Sequence, residues 1–457
     1  MTATRNAVLF GNGARGAKLA ALGLGVALFA SACGGSSTPE QGGGSSAPAA
    51  ASGLTCPEPT QNGAGAKRTK GDPSAVPASK GSTDQPLKIG TLLPTTGTLS
   101  YLGPPEIAAA NLAVKEINAA GGVLGKDVDV VHRDSGDTTT DIATQSVTDL
   151  LGQDVSAIVG AASSSVSFNV IDQITNAGVV QFSPANTSPD FTDYKDNGLY
   201  FRTAPSDVLQ GRTLGSYMIS CGAQTLGMIV LNDPYGTGLQ ANVKQAFEGA
   251  GGQVVAEEMF NTGDSQFSSQ VDAVVAAKPD AIAVITFDEI KSIAPLLLAK
   301  GVDPKQLFLV DGNTADLSKD LDPGAMEGAQ GTIPGTFAKE DFRADLKTVD
   351  DGLKDYAYAG ESYDATTMIA LAAEAAGSTN GKDIAKELEG ISKDGEKCTD
   401  FASCVTLLRE GKDIDYDGLS GPVTFSDKGD PSEAYIGIYN YDSNNVPQPA
   451  REEFGKL

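Results

Sequence analysis

One histidine, His132, and no tryptophan occur in 457 residues. A single imidazole excludes a HExxH metal site and any multi-histidine zinc site. A Ser–His–Asp triad would have to use His132 itself, at the end of a predicted strand. Neither a GxSxG elbow nor a GxxxxGK[ST] phosphate loop is present. An extracellular hydrolase built on a serine is therefore the weakest reading, and neither a metal nor a cofactor is expected. Positive charge is also scarce, with 33 Lys and Arg against 58 Asp and Glu and a net charge of −25. That balance makes nucleic acid a poor partner and otherwise serves solubility.

What is present begins with a targeting segment. Arg5, Arg15 and Lys18 precede Leu19–Ala32, an uncharged run of 14 residues. A membrane span needs about 20, so residues 1–32 read as a signal peptide. The formal GxGxxG at Gly11–Gly16 lies inside it and is a chance match. Cys33 follows Ala30-Ser31-Ala32 and precedes Gly34-Gly35, which resembles a bacterial lipobox with Ala30 in the usual leucine position. The resemblance implies a lipid-modified Cys33 anchoring the chain to the cell membrane. The alternatives are secretion after cleavage near Ala32, or an uncleaved anchor. Residues 33–86 are rich in Gly, Ser, Ala, Pro and Thr and read as a flexible tether, with a span of roughly 40 Å. Four further cysteines suggest two disulfides with three possible connectivities. Cys398 and Cys404 close a short loop, which leaves Cys56 with Cys221.

From residue 87 strands and helices alternate. Lys88–Leu93, Val128–Val131, Ala157–Val159 and Val179–Phe182 read as strands. Between them, helices carry apolar residues at helical spacing, such as Ile107, Ala110, Val114 and Ile117. After a break at Ser206-Asp207 the alternation resumes with strands at Leu226–Leu231, Val254–Ala256, Ala281–Thr286 and Leu307–Val310. Such alternation predicts parallel sheets with helices on both faces. Two runs predict two doubly wound, Rossmann-like α/β lobes.

Ligands of open α/β sheets bind beyond the carboxyl ends of the strands, so the turns there hold the candidate site. Gly160 to Ser165 offers three hydroxyls and a helix start, suited to a carboxylate. Ser183-Pro184-Ala185-Asn186-Thr187-Ser188-Pro189 is rigid and hydroxyl-rich. Asn232-Asp233-Pro234-Tyr235-Gly236, Phe287-Asp288 and Asp311-Gly312-Asn313 supply acids and rings. Anion-holding groups from the first run and an acid with aromatics from the second match the parts of an α-amino acid. Individually, each is better explained by a cap or turn, or for Tyr235 by a rim or core aromatic.

Together the segments resemble the leucine/isoleucine/valine-binding type of periplasmic binding protein. They are Ile89–Gly97, Glu116–Gly122, Ser183-Pro184 through Thr187, Asp233–Gly236 and Gly421-Pro422-Val423-Thr424-Phe425. The resemblance spans residues 86 to 445. It implies two lobes joined by a three-crossover hinge: 86–206 plus 337–422, and 207–336 plus 423–457. It implies Ser164 (or Ser163) and Thr187 on the ligand carboxylate, Asp311 on the ammonium, and Tyr235 as the aromatic of the Tyr-Gly motif; Phe287 is a ligand-binding candidate from its place after a strand. Leu102 stands where an aromatic is common, with Tyr101 beside it. The implied function is that of an extracytoplasmic, monomeric receptor delivering a neutral, branched-chain-like amino acid to the membrane permease of an ABC importer. Related members bind amides, urea-like compounds or aromatic acids, and a ligand sensor is the remaining alternative.

Overall fold

A computed structural model describes residues 53–60 and 70–457. The expected signal peptide, Cys33 and most of the tether lie outside the described residues. Strands β1 (Lys88–Leu93), β2 (Asp129–Asp134), β3 (Ala157–Gly160), β4 (Val180–Ser183) and β5 (Tyr200–Arg202) form one sheet, ordered β2-β1-β3-β4-β5. Every pairing is parallel. Helices α1 (Gly103–Ala119), α2 (Ile142–Gly152) and α3 (Ser164–Asn176) are the crossovers. β3 and β4 are buried throughout because helices cover both faces. The strand order reverses between β1 and β3, so the loops after those two strands open a crevice there.

The chain then enters a second lobe through α4 (Asp207–Ser220). It continues as β6 (Thr225–Leu231), α5 (Pro234–Gly249), β7 (Gln253–Phe260), α6 (Ser268–Ala277), β8 (Ala281–Ile285), α7 (Ile290–Ala299), β9 (Leu307–Leu309) and β10 (Gln330–Pro334). It returns to the first lobe as α8 (Glu340–Leu346), α9 (Ala359–Ala376), α10 (Gly381–Leu388) and α11 (Phe401–Glu410). The short pair β11 (Glu396–Cys398) and β12 (Ile414–Tyr416) flanks α11. A hairpin, β13 (Glu433–Tyr441) with β14 (Pro447–Lys456), completes the second sheet as β14-β13-β10-β9-β8-β6-β7. Both the hairpin and its seam with β10 are antiparallel, unlike the parallel sheet expected from the alternation. The hairpin needs only a short turn, whereas a parallel strand would need another helix.

Three connections pass between the lobes, at residues 203–206, 335–339 and 426–432. Val423 and Phe425, expected in the second lobe, are buried in the first-lobe core. The Phe425 ring lies 5.9 Å from Phe182 and 5.6 Å from Phe201. The final crossover thus comes after these residues, because two aromatic neighbours hold Phe425 in place.

Both disulfides, Cys56–Cys221 and Cys398–Cys404, are formed. They bear on the tether expectation, which holds poorly for its described part. Leu54 and Cys56 pack against the second-lobe core, and Thr60 N–H donates to the Ala450 carbonyl at 2.9 Å. Residues 70–86 lie on the first lobe instead. Gly71 N–H donates to Asp400 at 2.6 Å, and Val76 packs against that core. Arg409, itself paired with Glu374 at 2.9 Å, donates to the Pro77 carbonyl at 2.9 Å. Backbone hydrogen bonds and one disulfide anchor a segment that lacks aliphatic periodicity.

A buried ion pair joins β5 to the last crossover. Arg202 Nε lies 2.6 Å from Asp430 Oδ1, with side-chain exposures of 0% and 6%. Asp430→Ala would leave a buried guanidinium without its carboxylate. The expected cost is about 3–5 kcal/mol, measured by urea unfolding. Lys428→Ala, which breaks only the exposed pair with Asp193, should change stability by less than about 1 kcal/mol.

Candidate functional site

The first-lobe half of the site is built by turns after β3 and β4. Ser163 caps α3, its Oγ accepting from Val166 N–H at 3.4 Å. Ser164, buried, accepts from Ser188 N–H at 3.3 Å, which ties one turn to the other. Asn186 reinforces the tie by donating to the Ala161 and Ala162 carbonyls at 3.0 and 2.9 Å. Arg202 Nη1 donates to the carbonyls of Asn186 and Ser188 at 3.3 and 2.8 Å. Thr187 lies between those carbonyls and is fully buried.

In the second lobe each residue of Asp233-Pro234-Tyr235-Gly236 has a separate task. Asp233 caps α5 through Gly236 N–H at 2.7 Å, and Pro234 occupies the first turn, where no N–H is needed. Gly236 sits against the Leu231 carbonyl, leaving no room for a Cβ. Tyr235 is thereby aimed at the cleft, stacked on Phe287 with ring centroids 5.3 Å apart. Its hydroxyl donates to Asp311 Oδ1 at 2.8 Å. Gln210 Nε2 donates to the same oxygen at 2.9 Å, and Tyr358 donates to Oδ2 at 2.7 Å.

The lobes touch across this site. Tyr101 and Tyr358 of the first lobe bond Asp311 of the second, Tyr101 donating to its carbonyl at 2.8 Å. Ser165 Oγ donates to Asp233 Oδ2 at 2.6 Å. A cavity of about 10 Å³ remains, room for about one water. Ser163, Ser164, Tyr235, Phe287 and Asp311 all line it, while Thr187 sits behind the wall. His132 is elsewhere, bonded to Thr91 and Asn111 in the first lobe.

Sequence reasoning passed over Asp207, Gln210 and Tyr358. Asp207 had registered only as a break in the alternation. Tyr358 sits in no periodic run and holds a left-handed φ of 56°. Yet Asp207 is wholly buried, and among the described residues neither carboxylate oxygen has a hydrogen-bond partner of normal geometry. The Thr187 hydroxyl is near enough to ease its ionisation but is itself without such a partner. Gln210 Oε1 is unpartnered too. Burial foremost, and then the Asp311 charge, push the Asp207 carboxyl well above the ordinary range. Burial also raises Asp311, against the opposing hydrogen bonds of Tyr358, Tyr235 and Gln210. The cleft thus collects buried acceptors and few donors, an arrangement that suits a cationic or N–H-rich group.

The profile of the periplasmic binding protein family matches residues 86–435. A Leu/Ile/Val-binding protein homologue of Brucella suis is 28% identical over 327 residues, which is 69% of this chain and 85% of that protein. Among solved structures, the branched-chain amino acid transporter substrate-binding protein LivJ of Streptococcus pneumoniae, in complex with isoleucine, aligns with a TM-score of 0.68. It is 24% identical and covers 82% of this chain and 100% of its own. A solute-binding protein of R. palustris in complex with benzoate aligns with a TM-score of 0.64. It is 18% identical and covers 82% and 98%. At these identities the solved structures attest the fold.

The raised Asp207 carboxyl makes a prediction whose sign is fixed. Folded Asp207 keeps its proton at pH values where the unfolded chain, with an ordinary value of about 4, has lost it. Stability therefore falls as pH rises from about 4 toward the raised folded value. Asp207→Asn removes this titration. Thermal unfolding from pH 4 to 7 should show a flatter decline for the variant, with a gain of about 1–3 kcal/mol at pH 7. Parallel declines in the two proteins would remove Asp207 as a source.

Proposed function

The chain belongs to the periplasmic binding protein family, and on that premise we propose that it is the extracytoplasmic receptor of an ABC importer, binding a branched-chain or other neutral amino acid between its lobes. The observation that carries the reading is the division of labour across the cleft. Hydroxyls and a helix start in one lobe suit a carboxylate. An acid flanked by Tyr235 and Phe287 in the other suits an ammonium and an apolar side chain. Ser163 and Ser164 take the first role, with Thr187 behind them, and Asp311 the second. The isoleucine complex of LivJ and the Leu/Ile/Val relative support the ligand class.

Binding without turnover follows from this reading. The ligand enters when the lobes part, since the cavity between them is far smaller than an amino acid. It is then handed to a permease. Lipidation at Cys33 would hold the monomeric receptor near that partner.

One observation favours a second reading. The Asp311 carboxylate already accepts from Tyr235, Gln210 and Tyr358. A ligand without an ammonium, such as a short amide, a urea-like compound or an aromatic acid, would leave those bonds intact. The benzoate complex of the R. palustris neighbour fits that alternative.

Calorimetric titration with leucine, isoleucine, valine and alanine, then with short amides, urea and benzoate, separates the two. For an amino acid, Asp311→Asn should weaken binding by about 1.5–3 kcal/mol, the range for a charged hydrogen bond. Undiminished affinity in that variant, or binding of benzoate alone, would favour the second reading.

A further inference from the structure

A second cavity, of about 190 Å³, lies on the hinge side of Tyr358. It is about nineteen times the volume of the interlobe cavity, enough for a small organic molecule. Tyr358 is the residue common to its lining and that of the interlobe site. The walls come from three places: Tyr356 and Glu361 in the first lobe, Thr314 and Tyr439 in the second, and Phe337 on the crossover between them. Phe337 and Tyr439 meet edge to face with centroids 5.0 Å apart, giving an aromatic wall.

The chemistry of the cavity is graded from rim to floor. At the rim Arg343 is committed, with its guanidinium 4.8 Å from the Tyr356 ring centroid and its Nε donating to the Ala338 carbonyl at 2.7 Å. Asp355 is committed as well, accepting from Tyr356 and Ala357 N–H at 2.7 and 2.9 Å. The floor differs. Glu361 is only 4% exposed, and among the described residues no other one donates a hydrogen bond to its carboxylate. One of its oxygens rests against Gly335, where a Cβ would collide with it. Nearby Glu106 is fully buried, and among the described residues neither of its carboxylate oxygens has a hydrogen-bond partner, so it brings Glu361 no countercharge.

From this geometry we infer a second ligand site for a small primary amine, with its ammonium on Glu361 and its carbon chain against Phe337, Tyr356 and Tyr439. An ammonium brings three donors and a positive charge to a carboxylate that has neither. The ring faces suit both a cation and the methylenes attached to it. Burial pushes the Glu361 carboxyl up to about 8, so a bound ammonium would draw off its proton. The groups facing Glu361 are Glu106 on α1, Asp364 on its own helix, Tyr358 at that helix's start and Tyr439 on β13, and the charged residues that share its cavity are Asp316, Lys339, Asp341, Arg343, Lys354 and Asp355.

Titration of the purified protein with butylammonium, butyrate and butanol tests the site. Butylammonium should bind with a stoichiometry of one, and butyrate and butanol should bind at least tenfold more weakly. Affinity for the amine should rise close to tenfold per pH unit below about 8. Glu361→Gln should weaken it at least tenfold and abolish the pH dependence, while Asp311→Asn should leave it within twofold. Tyr439→Leu, which removes half of the aromatic wall without touching the acid, should also weaken it and serves if Glu361→Gln does not fold. Several results would overturn the site. These are no binding of butylammonium, equal binding of butyrate, an unchanged Glu361→Gln, or loss of binding in Asp311→Asn, which would place the amine between the lobes.

Discussion

Arg202 holds three parts of the protein that otherwise have no reason to meet. Its backbone ends β5, where the chain leaves the first lobe, and its N–H donates to the Gly429 carbonyl at 3.2 Å. Its side chain fixes the turn that carries Thr187 by bonding the carbonyls on either side of it. Its charge is answered by Asp430 in the last crossover, which also accepts from Thr192 at 2.6 Å. A buried guanidinium is tolerated only when its hydrogen bonds and its charge are both satisfied. The same residue therefore sets the pose of a site turn and the path of a hinge segment.

The cleft shows the opposite balance. Asp207, Asp311 and Asp233 gather where the lobes meet, and burial raises all three carboxyls. Tyrosine hydroxyls and Gln210 partly compensate Asp311, while Asp207 goes without. Holding acids in a dry space at the expense of stability is what a binding site does when its ligand supplies the missing donors. Glu361 repeats the pattern on the other side of Tyr358. The protein's overall negative charge is mostly a solvated surface, but these few carboxyls are not part of it.

The segment before the first strand illustrates how a sequence misleads. Its Gly, Ser and Pro content reads as a loose spacer, and nothing in its periodicity suggests packing. Cys56 ties one point of it to α4's end at Cys221, and Gly71, Pro77 and Ser79 fasten its last part to α11 and α9. Those bonds use backbone groups, the Ser79 hydroxyl and one disulfide, which leave no hydrophobic pattern to read.

The sequence alone determined the two-lobed α/β plan. Period-2 and period-3.6 apolar spacing is a local property, and strict alternation permits few topologies. It also named Ser163, Ser164, Tyr235, Phe287 and Asp311, since turns after parallel strands share one edge of the sheet. Both cysteine pairs were legible from loop length and elimination. Only the tertiary structure decided the rest. Phe425 joined the first lobe because Phe182 and Phe201 stand there. Thr187 went behind the cavity wall because Arg202 holds its neighbours' carbonyls. Tyr358 reached Asp311, 47 residues away in sequence, because lobe contact brings them together, and no local pattern records which distant groups a closing cleft will unite.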